Sequence, residues 1–128
     1  MITYNNINFM GTHMTSDPLL TSVLAILEDS KAIDIQTLDV RALTTITDTM
    51  IVCSGNSGRH VNAIAEHVLD GLKDNKKEIL GVEGKEDGEW VLVDLGRIVV
   101  HIMVPQARDF YQLEKLWEAT DKARKHPD

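Results

Sequence analysis

The sequence predicts an α+β domain: a mixed sheet of about five strands with helices mainly on one face. Three observations predict it. The chain reads in the order helix, strand, strand, helix, strand, strand, strand, helix. Near the C-terminal end, EWVLVDL and RIVVHIMV are two short, nearly continuous apolar runs that read as strands joined at Leu95-Gly96. The two clearest helical stretches repeat apolar residues every three or four positions, so each buries one side only.

Met1 to Thr15 has no periodicity; Asn5, Asn6 and Asn8 lie close together and Gly11-Thr12-His13-Met14 follows. Residues 1–15 read as vector-derived or as a disordered native N-terminus, with Met14 as the natural start, and 16–128 as a single domain. Order begins near Ser16-Asp17-Pro18, where Ser or Asp supplies an N-cap and Pro fits the first turn. Leu19, Leu20, Val23, Ile26 and Leu27 then follow at helical spacing, and the helix is expected to end by Ala32. Ile33 to Val40 and Thr47 to Ser54 read as strands around a turn at Thr44 to Thr47. Gly55-Asn56-Ser57 marks a sharp passage into the next helix, which buries Val61, Ile64, Ala65, Val68, Leu69 and Leu72. Lys73 to Lys77 is a charged exit, Glu78 to Val82 a short strand and Gly84 to Gly88 a polar loop. Beyond the hairpin, Pro105 starts a short helix that is expected to run into Leu113 to Lys125.

A tight turn at Leu95-Gly96 would set Asp94 opposite Arg97, Leu92 opposite Val99 and Trp90 opposite His101. One face then carries Val91, Val93, Ile98, Val100 and Ile102, a branched set suited to packing under helices. The other carries Trp90, Leu92, Val99, His101 and Met103, residue types that suit a docking surface. That both faces are core is the competing reading. Were His101 on an open face, its protonation near 6.5 would weaken burial of that face.

A chain of 128 residues makes one domain large enough for a real core. Hydrophobic content of 43% and charged content of 26% fit a soluble globular protein. No apolar run approaches the length needed to cross a bilayer, so no membrane association is expected. The single Cys53 forms no internal disulfide, and a reducing cytoplasm is the expected location. Thirteen basic against twenty acidic residues give a net charge of -7. Little direct RNA contact is expected from such a balance, because nucleic-acid affinity comes from neutralising phosphates. A basic protein is the better-matched partner.

The chemical motifs are weak. Gly55-Asn56-Ser57-Gly58 between strand and helix offers backbone N–H groups to a phosphate, but lacks dinucleotide glycine spacing and the Lys-Ser/Thr of a P-loop. A capped turn is favoured. A strand ending in Gly-Asn-Ser is also similar to nucleotidyltransferases, whose chemistry needs two carboxylates alternating on a strand to hold Mg²⁺. Here Asp34 is followed at that offset by Gln36, and Asp94 by Gly96. His60 and His67 lie two helical turns apart, too far for joint metal ligation, and read as surface histidines. Cys53 sits in an apolar strand as inert packing, and His101 has no evident nucleophile. Arg108, Asp109, Tyr111, Glu114 and Trp117 form a polar and aromatic rim beside Trp90, or else Phe110, Leu113, Leu116 and Trp117 are buried and Arg108 and Glu114 solvated or paired.

Taken in order, several segments resemble the ribosomal silencing factor family (RsfS, also called Iojap). They are Asp34-Ile35 with Leu38-Asp39-Val40, Thr47-Asp48 before MIVCSGNSGRHV, Gly81-Val82-Glu83-Gly84, Glu89 through Gly96, Val100-His101, and Tyr111 through Trp117. The resemblance spans roughly Leu19 to Trp117. It implies a nucleotidyltransferase-like core without catalytic carboxylates, no enzymatic activity and no cofactor. It also implies binding to the large ribosomal subunit through its protein numbered fourteen, which blocks joining of the small subunit and represses translation under nutrient limitation. The docking set it implies is Trp90, Leu92, His101, Met103, Tyr111 and Trp117, with Arg108 and Glu114 at the rim. The tail Glu118 to Asp128 extends beyond the usual family end. The alternative function is a nucleotide-binding or nucleotidyl-transferring enzyme using Gly55-Asn56-Ser57. An open apolar face also admits a homodimer when the protein is free.

Overall fold

A computed structural model describes residues 17–86 and 88–115. Helix α1 spans Pro18–Asp29 and starts as its sequence demands: Asp17 is the N-cap, its carboxylate accepting from the Leu19 and Leu20 amides. The helix stops before Ala32, because the Ser30 N–H and hydroxyl both turn back to the Ile26 carbonyl and Lys31 takes φ 65. Strand β1 follows at Ile33–Asp39 and β2 at Thr49–Ser54. The connection between them is longer than the four-residue turn expected, since the Val40 amide already donates to the Asp48 carbonyl and the Leu43 and Thr44 amides fold back onto Val40.

Helix α2, Gly58–Gly71, is capped by the Ser57 hydroxyl, which accepts from the His60 amide. A 3₁₀ helix at Lys73–Glu78 replaces the charged exit and takes in Glu78, so β3 begins later than expected, at Gly81–Glu83. Strands β4, Trp90–Asp94, and β5, Ile98–Met103, form the hairpin. Helix α3 spans Pro105–Tyr111 and ends there, because Gln112 adopts a left-handed conformation at φ 49 and its amide bonds to the Arg108 carbonyl. The expected run from Leu113 to Lys125 is therefore interrupted at its start, and its part beyond Lys115 lies outside the described residues.

The sheet is mixed, in the order β1-β2-β5-β4-β3. Only β2 and β5 run parallel, at its centre, and the other neighbours are antiparallel. The hairpin register differs from the expected one by two residues. Trp90 lies opposite Met103, Leu92 opposite His101 and Asp94 opposite Val99. The reason is the turn: the Leu95 amide donates to the Ile98 carbonyl at 2.8 Å, so the two loop residues are Gly96 and Arg97. Gly96, at φ 85, supplies the positive φ that such a turn needs at its first central position. The Asp94 carboxylate accepts from the Gly96 amide and fixes the bend. A slip of two leaves every side chain on its expected face.

Helices α1 and α2 cover the branched face. Val91, Val93, Ile98, Val100 and Ile102 pack with Ile51 and Cys53 of β2 and with Leu20, Val23, Leu27, Val61, Ile64 and Val68 of the helices. Each large side chain so buried contributes roughly 1.5–3 kcal/mol. The second face divides in two. Under α3, Met50, Val52, Met103, Val40 and Ala107 form a smaller core, flanked by Leu38, Val104 and Leu113, while Leu92 and Val99 stay half-buried.

Arg97 ties the turn to both ends of the helical layer. Its guanidinium lies 3.1 Å from Asp17 and 3.6 Å from Glu78. Burial alone would raise the Asp17 pKa, but the Arg97 side chain and the two capping amides outweigh it and hold the carboxyl below 3.8. Asp17→Ala should therefore lower stability by about 1 kcal/mol at neutral pH, read from urea midpoints. A lowered folded pKa means that this stabilisation is present above the ordinary carboxylate range and is lost as pH falls through the folded value. The midpoints of wild type and Asp17→Ala should converge in acid, and a constant gap would show that the carboxylate charge is not what stabilises the cap.

Candidate functional site: an aromatic ledge on the second sheet face

Trp90, at the start of β4, is held in place from three sides. Behind it, the Gly84 Cα faces the Trp90 carbonyl so closely that a Cβ there would come within 2.1 Å of the oxygen, and Gly84 has φ +92. Beneath it, the indole Nε1–H donates to His101 Nδ1 at 2.9 Å, with ring centroids 5.8 Å apart. Because Trp90 and His101 are diagonal neighbours and not opposite ones, the indole reaches across the ladder to make this bond. On its third side Tyr111 of α3 lies with ring centroids 4.7 Å apart and planes at 48°. Phe110 meets Tyr111 edge-on at 4.9 Å.

The result is a ledge of three aromatic rings at the boundary between the covered and open halves of the sheet. Tyr111 is 51% and Phe110 79% exposed. The competing reading that buried Phe110 fails: Val104, Ala107, Arg108 and Tyr111 face the sheet, so helical geometry turns Phe110 outward. Phe110 was legible in that spacing, but only for a helix that ends at Tyr111. Leu92 and Val99 continue the surface onto the open sheet. Glu83, opposite Leu92, and Asp94, opposite Val99, share that face.

The other expected site residues fall elsewhere. Met103 is fully buried in the second core and presents no surface. His101 is only 7% exposed and supports Trp90 from below. Arg108 and Glu114 face one another: Nε and Nη2 of Arg108 both donate to Glu114 Oε2, at 2.9 and 2.7 Å. Arg108 Nη1 also donates to the Ser54 hydroxyl and the Ile33 carbonyl. Trp117 lies outside the described residues.

Burial pushes the His101 pKa down to about 4. The expected titration near 6.5 is thereby displaced, because the ring sits where hydration of the charged form is lost. The bond from the indole requires a lone pair on Nδ1, so the ring is neutral with its proton on Nε2. Cys53 is buried among the helix-side core, and burial pushes its thiol up to about 12. The sheet separates it from His101, so the two form no dyad.

The Gly55-Asn56-Ser57 turn is already occupied by its own chain. The Asn56 amide donates to His60 Nδ1 at 2.9 Å, the His60 amide to Ser57, and the Gly55 amide to the Met103 carbonyl. All three of these amides are therefore engaged within the chain. His60 Nε2 lies 3.0 Å from the Ser30 carbonyl and His67 Nδ1 2.8 Å from its hydroxyl. Both histidines lie at the surface as expected, His67 exposed and His60 half-buried, and both also clip the end of α1 to α2. Among the described residues no group of three or more His, Cys, Asp or Glu side chains is placed to hold a metal ion. Among them, too, no helix is long and apolar enough to cross a membrane.

A family model described as "Ribosomal silencing factor during starvation" matches residues 13–128. The chain belongs to the ribosomal silencing factor family. That match includes the tail, Glu118 to Asp128. A curated Chromobacterium violaceum relative, Ribosomal silencing factor RsfS, is 51% identical over 91 residues, covering 71% of this chain and 75% of the relative. A crystal structure of a protein from the same organism superposes with a TM-score of 0.75 at 46% identity, covering 78% of this chain and 83% of that one. A mouse relative named Mitochondrial assembly of ribosomal large subunit protein 1 is 34% identical over 98 residues, covering 74% of this chain and 43% of the relative. Family membership makes the chain a ribosome-associated factor of translation regulation.

The buried histidine generates a pH prediction. The folded state refuses a proton that the unfolded chain accepts, so this group makes stability fall as pH drops from about 6.5 toward about 4. His101→Gln removes that titration and should flatten the dependence by up to one proton's worth of slope, measured by urea unfolding across the range. Identical slopes in the two proteins would mean that His101 is protonated in the fold.

Proposed function

We propose that this chain represses translation by docking on the large ribosomal subunit, through its protein numbered fourteen, and blocking the small subunit from joining when nutrients are scarce. The mechanism needs affinity and bulk and no chemistry, which suits a chain in which the Cys53 thiol and the buried His101 are both held neutral. The observation that carries the reading is the aromatic ledge. Trp and Tyr are residue types that dominate binding hot spots, Phe is enriched at interfaces, and leaving the Tyr111 and Phe110 rings in water is unfavourable.

Family membership supports the ribosome as target, and the mouse relative's name supports the large subunit in particular. The net charge of -7, with Glu83 and Asp94 beside Leu92 and Val99, favours a basic protein over RNA as the surface met. Trp90, Leu92 and Tyr111 are the proposed contacts. His101 and Met103 belong to the same set as the layer that fixes them, and Trp117 joins it by resemblance alone. An interface of standard size, about 1,600 Å² in total, suffices for specific docking. In the absence of ribosomes the same surface is proposed to pair with its own copy.

The protein should co-sediment with purified large subunits and be depleted from joined ribosomes as small subunits are added. Equal recovery on joined ribosomes would refute exclusion. Trp90→Ala should weaken binding to large subunits by about 2 kcal/mol or more. If affinity in the folded fraction is unchanged and only the melting temperature drops, Trp90 is core and the ledge is not the docking surface.

A further inference from the structure

The Arg108 guanidinium, at 11% side-chain exposure, is the most deeply placed charge on α3 and none of its bonds points toward the ledge. It lies at an open cleft of about 630 Å³ formed where β1 begins, β2 ends and α3 turns off. Its bonds join three pieces of chain. Nη1 reaches the Ile33 carbonyl at 3.3 Å and the Ser54 hydroxyl at 3.0 Å, holding the sheet ends. Nε and Nη2 grip Glu114, which lies beyond the left-handed residue Gln112. The backbone carbonyl of the same Arg108 accepts the Gln112 amide that closes α3. Asp34, at φ 52 in the irregular start of β1, stands 3.7 Å from Nη2. One residue therefore fixes the helix exit to the sheet from both its main chain and its side chain.

Tyr111 sits between those two anchors, directly before Gln112, and its ring is what Trp90 meets. We propose that Arg108 is a positioning residue: its fork on Glu114 sets the last turn of α3, and so holds Tyr111 and Phe110 in the ledge, instead of touching the partner itself. This rests on the docking role proposed for the ledge. Nε and Nη2 close on the single oxygen Oε2, which fixes the direction of Glu114 against the planar guanidinium in a way that one ammonium would not.

Two variants test it. Arg108→Lys keeps the charge and loses the fork; Glu114→Gln keeps the shape, loses the charge and leaves both cores untouched. In a Trp117→Phe background Trp90 is the sole tryptophan, and its emission in the free protein reports whether Tyr111 still covers it. Dissociation from purified large subunits is measured separately with Trp117 retained. Both variants should shift Trp90 emission to the red and speed dissociation about tenfold, with association little changed, since changes at one interface act mostly on the off-rate. Emission that superimposes on the parent's in both variants overturns the proposal, and with faster dissociation it would make Arg108 and Glu114 direct contacts. Shifted emission with unaltered dissociation overturns the link between clasp and docking. If the parent protein itself fails to bind large subunits, the docking reading falls, and the emission alone decides whether Arg108 holds the ledge.

Discussion

The pairing of β4 with β5 is the constraint on which the rest depends. Its register, set by the Gly96-Arg97 turn, decides which side chains meet on each face of the sheet. The same turn reaches outward. The Arg97 carbonyl accepts from the Asp48 and Thr49 amides and starts β2 beside β5, while its guanidinium holds the Asp17 cap of α1 and Glu78 of the 3₁₀ helix. A single tight bend thus connects the parallel centre of the sheet, its antiparallel edge and the helical layer. Moving the register by one residue would carry the branched set off the helices and put Trp90 into the core.

The two faces have different consequences because they are covered to different extents. Two helices bury the β4 and β5 residues of one face completely, and those residues need only be apolar and branched. On the other face a seven-residue helix covers only the half over β1, β2 and the end of β5. The ledge lies on that boundary. Trp90 has a buried histidine below and a tyrosine above, so the indole is presented in one orientation while its neighbours Tyr111 and Phe110 remain accessible. Rigid aromatic presentation lowers the ordering entropy that the proposed docking would cost.

What was legible in the sequence was whatever depends on local chemistry. A cap at Ser16 or Asp17, a capped turn at Gly55-Asn56-Ser57, the Pro starts of α1 and α3 and the division of strand residues into two faces all follow from residue type and period, and the structure selects Asp17 and Ser57 as the caps. The two-residue error in the hairpin arose because Leu95 and Gly96 look like a turn, whereas Leu95 is buried and bonded to Ile98. Period two protected the face assignment from that error. The 3₁₀ helix at Lys73–Glu78 and the break at Gln112 carried no strong signal, since neither glycine nor proline marks them. The sheet partners of Arg108, unlike its pairing with Glu114, were illegible for a different reason: Ser54 and Ile33 lie 54 and 75 positions away, and no periodicity encodes such a meeting.

The buried histidine shows how the two levels combine. A histidine in a strand is ambiguous by sequence, and on an open face it would titrate near neutrality and act as a switch. Packed beneath Trp90 it is held neutral, with its Nδ1 lone pair taken by the indole N–H. An alkyl side chain there would fill the space but leave a half-buried donor without a partner, and a carboxylate would bury a charge. Neutral imidazole is flat enough to lie under an indole, accepts one hydrogen bond, and stays uncharged across the physiological range. Its use at this position is therefore to orient the tryptophan and not to sense pH, so the ledge keeps its shape as cellular acidity varies.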